Sequence, residues 1–358
     1  MIIHNTMPTI LKLLITGLLV LLSPPSIAEV FVSPVLNTEP VKKDYVVAPK
    51  TYMVVPLPGK GNPNDSYRIT INAGNAIYKD ITAYLVDSTN LRLFEQGYQY
   101  RGVGYQRAMA PFVIQGSAQT PEPHYLILDN RYAAFIAKKL HLTIEASLTL
   151  DQANRQMLEK AFASAYLGLK QNLSFPDFNI RVEPCGQVNA YSETFGSGDI
   201  HYCTELISHT FNSKNQGAFV FIFLHEVGHS LLGLWGIPGN NNEDIADEFA
   251  TFIMMSGGPS GYAMLDRSLE FWQNRDSTAE AMNMLKNGDR HSLSIQRVRN
   301  IKENIQRGVS FIKRWNQLIY PHSTTEALNK VIQNPKHGDD VDFARSILAQ
   351  RSKLANLN

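Results

Sequence analysis

Two histidines four residues apart, with a glutamate directly after the first, stand in the segment His225-Glu226-Val227-Gly228-His229. On a helix, positions i and i+4 share one face, so both imidazoles can reach a single ion. Glu226 is displaced by one position and can address a metal-bound water instead of the metal. Catalytic zinc takes three protein ligands and keeps its fourth position for water, whose proton such a glutamate accepts. Chance placement yields HExxH only about 0.01 times in a chain of this length and composition. The flanks, 219–224 and 230–235, are almost entirely apolar. The polar groups therefore interrupt a core helix, and burying them unpaired would be costly without a metal.

Glu243 follows His229 by fourteen positions, and Asp247 comes four later. At i and i+4 these carboxylates share one face of a second helix. Glu243 is thus the natural third ligand for Zn²⁺, at one ion per chain. Asp247 can accept the outer N–H of a ligand histidine, His225, and fix its tautomer. Asp244 and Glu248 are the alternatives for third ligand, and both point away from that face. Gly239-Asn240-Asn241-Asn242 lets the chain reverse between the helices. A metzincin pattern fails, because it requires glycine at 232 and histidine at 235, where Leu232 and Trp235 stand. Met254 and Met255 then read as core side chains.

HExxH followed by ExxxD resembles the arrangement of gluzincin-type zinc metallopeptidases. More closely, the chain resembles a bacterial family of metallopeptidases of uncharacterised substrate. The matching segments are 184–190 (PCGQVNA), 200–206 (IHYCTEL), the HEVGH helix, 243–247 (EDIAD) and, more weakly, 289–297 (DRHSLSIQR). They span residues 150–305 and leave out the strand-rich part before them. The resemblance implies a zincin-like catalytic domain, with Cys185 and Cys203 on neighbouring elements close to the active helix. Asn242 departs from the family pattern, where a second acidic residue is expected, so the charge around the ligands is altered. Zincin peptidases often set a further cationic or hydrogen-bonding side chain against the oxyanion. His291 is the catalytic candidate for that role and Arg297 its competitor; a helix cap or a solvated loop position is the plainer role for His291. Glu205, after a predicted strand, either lines the cleft or packs as an ordinary carboxylate.

Such a site needs elements to hold it. The chain has 358 residues, 44% hydrophobic, with 33 basic against 32 acidic side chains. That length accommodates two ordinary domains, and the near-neutral balance argues against a nucleic-acid partner. Residues 1–28 carry Lys12 as their one charged side chain, then the apolar run 13–22, two prolines and small residues up to Ala28. This is the pattern of a secretory signal peptide with cleavage expected after Ala28. The run is short for a membrane span, so no stable membrane insertion is expected after cleavage. A secreted or periplasmic protein follows. In an oxidising compartment Cys185 and Cys203 can persist as a disulfide. Closing that loop would stabilise the fold by about 3 kcal/mol.

Residues 29–45 show no clear periodicity and read as a linker. From 46 to 149 the pattern is strand-like: Tyr67, Ile69 and Ile71 alternate with polar residues, as do Leu140, Leu142, Ile144, Ala146 and Leu148. Short, punctuated strands predict a β-sandwich-like domain. The period changes at Thr149, which with Gln152 resembles a capping box. Leu158, Phe162, Ala165 and Leu169 then recur at helical spacing. Short strands are expected at 179–182 and 200–203, a buried helix at 218–235 and further helices beyond 243. The expected fold is α+β: a sandwich-like domain at 46–149, a zincin-like catalytic domain at 150–320 and a helical tail at 321–358. The strand at 200–203 is expected as the sheet edge that pairs with extended peptide or protein substrate. Two rival functions stand beside the peptidase. One is a cell-envelope binding protein with a structural or vestigial metal site; the other is a zinc amidase acting on cell-wall material.

Overall fold

A computed structural model of the protein describes residues 29–59, 61–74, 80–212, 215–273, 294–334 and 338–355. The expected signal peptide, 1–28, lies outside them. The fold is mixed α and β, with the sheets concentrated in the first half of the chain.

The alternation between 46 and 149 produces antiparallel strands. One sheet runs in the order β2 (Val35–Asn37), β10 (Lys138–Thr149), β5 (Ser66–Ala73), β8 (Phe112–Ser117), with β3 (Val41–Val47) also on β10. A second runs β4 (Tyr52–Pro56), β9 (His124–Asp129), β6 (Asp80–Asp87), β7 (Val103–Met109). Their inner faces meet in one core, where Ile69, Ile71, Leu140 and Leu142 pack with Ile81, Leu85, Leu126 and Leu128. Period-2 burial along β10 is what fixes the register of Ile144 against Ile69. A short helix, α1 (Ser88–Glu95), follows β6 and is capped by Asp87.

Residues 29–45 are not a linker. They form β1 (Val30–Val32), β2 and most of β3. Three-residue strands are too short to display a period, so only the valines betray them. β1 pairs in parallel with β11 (Ile180–Glu183), far along the chain, and Val32 is buried in the core of the second half. The cap of α2 (Gln152–Asn172) also differs from expectation. Thr149 still belongs to β10 and gives its N–H to Asp65 Oδ1 at 2.7 Å. Asp151 caps the helix instead, accepting from the Asn154 N–H at 2.8 Å.

The second half holds a sheet in the order β1, β11, β13 (Ile200–Cys203), β12 (Ala190–Ser192). β13 is therefore an inner strand, not the edge expected from its position before the active helix. Its burial explains this: Ile200, Tyr202 and Cys203 are all enclosed, as an inner strand requires. The outer place is taken by β12, whose Tyr191 is exposed. Cys185 and Cys203 form a disulfide linking the segment after β11 to the end of β13.

Helices complete this half: α3 (Thr204–Asn212), α4 (Gln216–Leu234), α5 (Glu243–Ser256), α6 (Gly258–Gln273), α7 (Ser294–Arg307) and α8 (Val309–Ile319). A 3₁₀ turn (Tyr320–His322), α9 (Thr325–Gln333) and α10 (Gly338–Ala355) follow. By length and composition α4 is apolar enough to cross a membrane, but 72% of its most apolar window is buried inside the protein. It is a core helix. α5 lies close against it because residue 228 is glycine; a Cβ there would sit 3.1 Å from the Phe249 ring. Met254 and Met255 of α5 are buried in the same core.

One half-buried ion pair steadies the sandwich. Lys138, at the start of β10, is enclosed and meets Asp80 Oδ1 at 2.7 Å. That hydrogen bond holds the Asp80 carboxyl below its ordinary value despite partial burial. A depressed carboxylate adds stability that is present above its unfolded pKa of about 3.9 and lost as pH falls through the lower folded value. Asp80→Asn is expected to lower the denaturant midpoint at pH 7 and to shrink the stability difference between pH 7 and pH 3. Parallel denaturant titrations at the two pH values check this.

Candidate metal centre

His225 and His229 lie one turn apart in α4, and the chain reverses after it so that α5 runs back across their face. Asn242 caps α5, accepting from the Asp244 N–H at 2.9 Å and the Ile245 N–H at 3.3 Å. This cap starts the helix so that Glu243 falls in its first turn and Asp247 one turn on. Gly239, with φ +83, allows the reversal.

One nitrogen from each imidazole and one carboxylate oxygen converge. His225 Nε2 is 3.0 Å from Glu243 Oε2 and 3.2 Å from His229 Nε2, which is 3.4 Å from the same Glu243 oxygen. A tetrahedral ion with bonds of about 2.0–2.1 Å spaces its ligand atoms about 3.3 Å apart, so the observed triangle suits such an ion. The outer nitrogens are engaged. The His225 Nδ1–H donates to Asp247 Oδ1 at 2.7 Å, and the His229 Nδ1–H donates to the Asn240 carbonyl at 2.7 Å. Each imidazole therefore turns its Nε2 toward the triangle, where an ion would take the place of a proton.

Behind His225 lies a second layer. Arg297, on α7, grips Asp247 with both ends of its fork, Nη2 to Oδ1 at 2.6 Å and Nε to Oδ2 at 2.9 Å. Its guanidinium lies 4.9 Å over the Trp272 ring of α6. Burial would push the Asp247 carboxyl up, but Arg297 and then His225 hold it down at about 2. Burial would push His225 down, yet the Asp247 and Glu243 carboxylates outweigh it and raise the imidazole to about 9. The cluster thus calls for positive charge. With neutral imidazoles, Glu226, Glu243 and Asp247 against Arg297 carry a formal −2, which a divalent ion would cancel.

Glu226 is 3% exposed, and among the described residues no side chain donates a hydrogen bond to its carboxylate. Tyr202 of β13 feels it: burial first, and then the Glu226 charge, push that phenol well above its ordinary value. Asp244 and Glu248, the alternative third ligands, are occupied elsewhere. Asp244 accepts from Asn300 Nδ2 at 3.1 Å, and Glu248 pairs with Arg314. Arg297 stands behind Asp247, on the outer side of His225 and not on the Nε2 side, so it is no oxyanion donor in this arrangement. His291 lies outside the described residues. Glu205 is not part of the triangle; it borders a cavity against the first sheet with Asn37, Glu145 and Gly186. It is buried, and its carboxylate accepts the Cys185 and Gly186 N–H groups at 3.1 and 2.8 Å and the Asn37 amide at 3.2 Å.

Two of these supports escape sequence reasoning, and the third, Arg297, is weighed there for a different role. The Asn240 carbonyl is a backbone group and leaves no mark on residue type. Trp272 carries no polar spacing signal. Arg297 was visible only as a cation in a matched segment, with nothing to show that it meets a residue fifty positions earlier.

Residues 143–303 match the model of a protein family described as "Putative metallopeptidase". That match covers His225, His229, Glu243 and Arg297 and leaves out most of the sandwich. No curated protein matches the chain. Two solved structures are similar to parts of it. One is described by the words "Bacillus endospore appendages form a novel family of disulfide-linked pili", at 12% identity and TM-score 0.23, covering 36% of this chain and all of that one. The other is a Yersinia pseudotuberculosis-derived mitogen, at 12% identity and TM-score 0.22, covering 32% of this chain and 90% of that one. Similarity this slight carries no argument about fold or function.

Proposed function

We propose that the protein is an exported zinc-dependent peptidase of gluzincin-like type, with His225, His229 and Glu243 as metal ligands and Glu226 as general base. The observation that carries this reading is the triangle of three ligand atoms at metal spacing beside a buried carboxylate that no described side chain occupies. A zinc ion held there supplies Lewis acidity toward a carbonyl and lowers the pKa of water to about 7. Glu226 takes a proton from the attacking water and delivers it to the leaving amine. Asp247 holds the proton on His225 Nδ1, which keeps Nε2 as a lone-pair donor, and the Asn240 carbonyl does the same for His229. Arg297 keeps Asp247 ionised. The substrate is an extended peptide, and the outer edge of β12 is where it adds as a further strand. His291 is the proposed oxyanion donor. The disulfide supports a secreted or periplasmic location, because such bonds persist in oxidising compartments.

The test combines elemental analysis with cleavage of a library of unfolded proteins. The reading expects zinc at one per chain, hydrolysis that disappears on chelation and returns with added zinc, and no hydrolysis without metal. Zinc at one per chain with no peptide cleaved would favour the binding-protein alternative. Cleavage of cell-wall amides alone would favour the amidase.

A further inference from the structure

Among the described residues, the strand registers bring three turns together at one end of the sandwich: 48–51 between β3 and β4, 110–111 between β7 and β8, and 130–137 between β9 and β10. Phe135 stands at this tip with 90% of its surface exposed, and Met109 and Val46, on strands that end here, are 64% and 55% exposed. The same strand ends and turns carry the exposed cations Lys50, Arg107, Arg131 and Lys139. Arg131 neutralises Asp129 at 2.7 Å, and Lys138 does the same for Asp80. Lys50, Arg107 and Lys139 have no carboxylate partner among the described residues, and Arg107 lies 4.2 Å over the Tyr132 ring.

The tip is braced from within. Asn130 is fully buried, and its amide donates to the carbonyls of Val47, Ala48 and Ile136 at 3.2, 3.1 and 2.9 Å. The Lys50 N–H adds a bond to the Ala133 carbonyl at 3.0 Å. This network closes the loop below Phe135 and holds the ring outward. A phenylalanine so displayed exposes apolar area that hydration opposes, and three cations without a carboxylate partner among the described residues share this end of the sandwich.

We propose that this tip docks reversibly on an anionic lipid bilayer, with Phe135 and Met109 entering the headgroup boundary and Lys50, Arg107 and Lys139 facing lipid phosphates. Charge complementarity selects this occupant: an apolar point inside a cationic ring matches a surface that is anionic outside and apolar beneath. A few side chains at a tip fall short of the roughly 800 Å² per partner that a stable protein interface buries. β10 runs from the tip to Thr149, where α2 begins, a span of about 40 Å for twelve extended residues. Docking at this end therefore leaves the opposite end of the sandwich, where β10 runs on toward the second half of the chain, facing away from the bilayer.

The test uses the full protein, carried through export so that its N-terminus is processed as the cell processes it, in co-sedimentation with vesicles. Vesicles of phosphatidylglycerol with phosphatidylethanolamine are expected to capture it, and vesicles of phosphatidylcholine alone are not. Phe135→Ser should weaken partitioning at least about tenfold, and reversing Arg107 or Lys139 to glutamate should weaken it about fivefold or more each, as expected for a cation beside an anionic leaflet. In Phe135→Trp, the added indole fluorescence should shift to the blue and be quenched by brominated lipid, which reports insertion at that residue. Failure to bind the charged vesicles overturns the proposal. So does undiminished binding by all three variants, which would assign the affinity to another part of the chain. Concentration-dependent self-association that Phe135→Ser abolishes, without vesicle binding, would overturn it in favour of an interface between copies. None of these readouts depends on metal or hydrolysis, so this proposal and the peptidase reading fail separately.

Discussion

Glu226→Gln is expected to retain zinc at one per chain and to lose hydrolysis by about a thousandfold or more, in line with the worth of a positioned general base. The expectation follows from what the carboxylate does and does not touch. Its oxygens are not part of the His225, His229 and Glu243 triangle, so removing its charge leaves the ligand atoms in place. No described side chain donates to it, so no hydrogen-bond network collapses with the change. Glutamine has the same shape and can still hold a water, but it cannot take that water's proton. Zinc stoichiometry and the rate of peptide cleavage, measured on one preparation, separate the two roles. Loss of zinc together with activity would make Glu226 a ligand or a structural group. Full activity with zinc bound would remove it from the mechanism altogether.

How much of this was legible beforehand depends on whether the information is periodic or pairwise. Spacing alone puts His225 and His229 on one helical face and Glu243 with Asp247 on another, because i and i+4 are geometric relations within a helix. Alternation likewise exposes the sandwich, since Leu140, Leu142 and Ile144 must share a face. Pairings between distant segments leave no such trace. Nothing in Val30–Val32 announces a partner at Ile180–Val182, 150 positions on. The order of β12 and β13 is also invisible, because either could follow β11 until burial decides which is inside. Glu205 illustrates the same limit: its residue type suits a cleft, and only the folded chain shows the Cys185 and Gly186 N–H groups closing on it.

Arg297 is such a pairwise feature, and its removal is the second large effect expected. Arg297→Met keeps length and apolar contact with Trp272 but takes away the fork that grips both Asp247 oxygens. Asp247, 2% exposed, would then remain as a buried carboxylate whose one described partner is His225. Removing one member of a buried ion pair costs about 3–5 kcal/mol, which a denaturant titration of the metal-free protein would read directly. The same change should weaken zinc binding by about 10–100-fold, because partners that orient a ligand histidine carry that much of the affinity. Arg297→Lys separates charge from geometry. Lysine restores the cation but not the two-pronged contact, so it should recover part of the stability and less of the metal affinity. A role confined to packing would predict the opposite order, with methionine the milder substitution. Equal zinc affinity in all three proteins would detach Arg297 from the metal site and leave it a brace between α5 and α7.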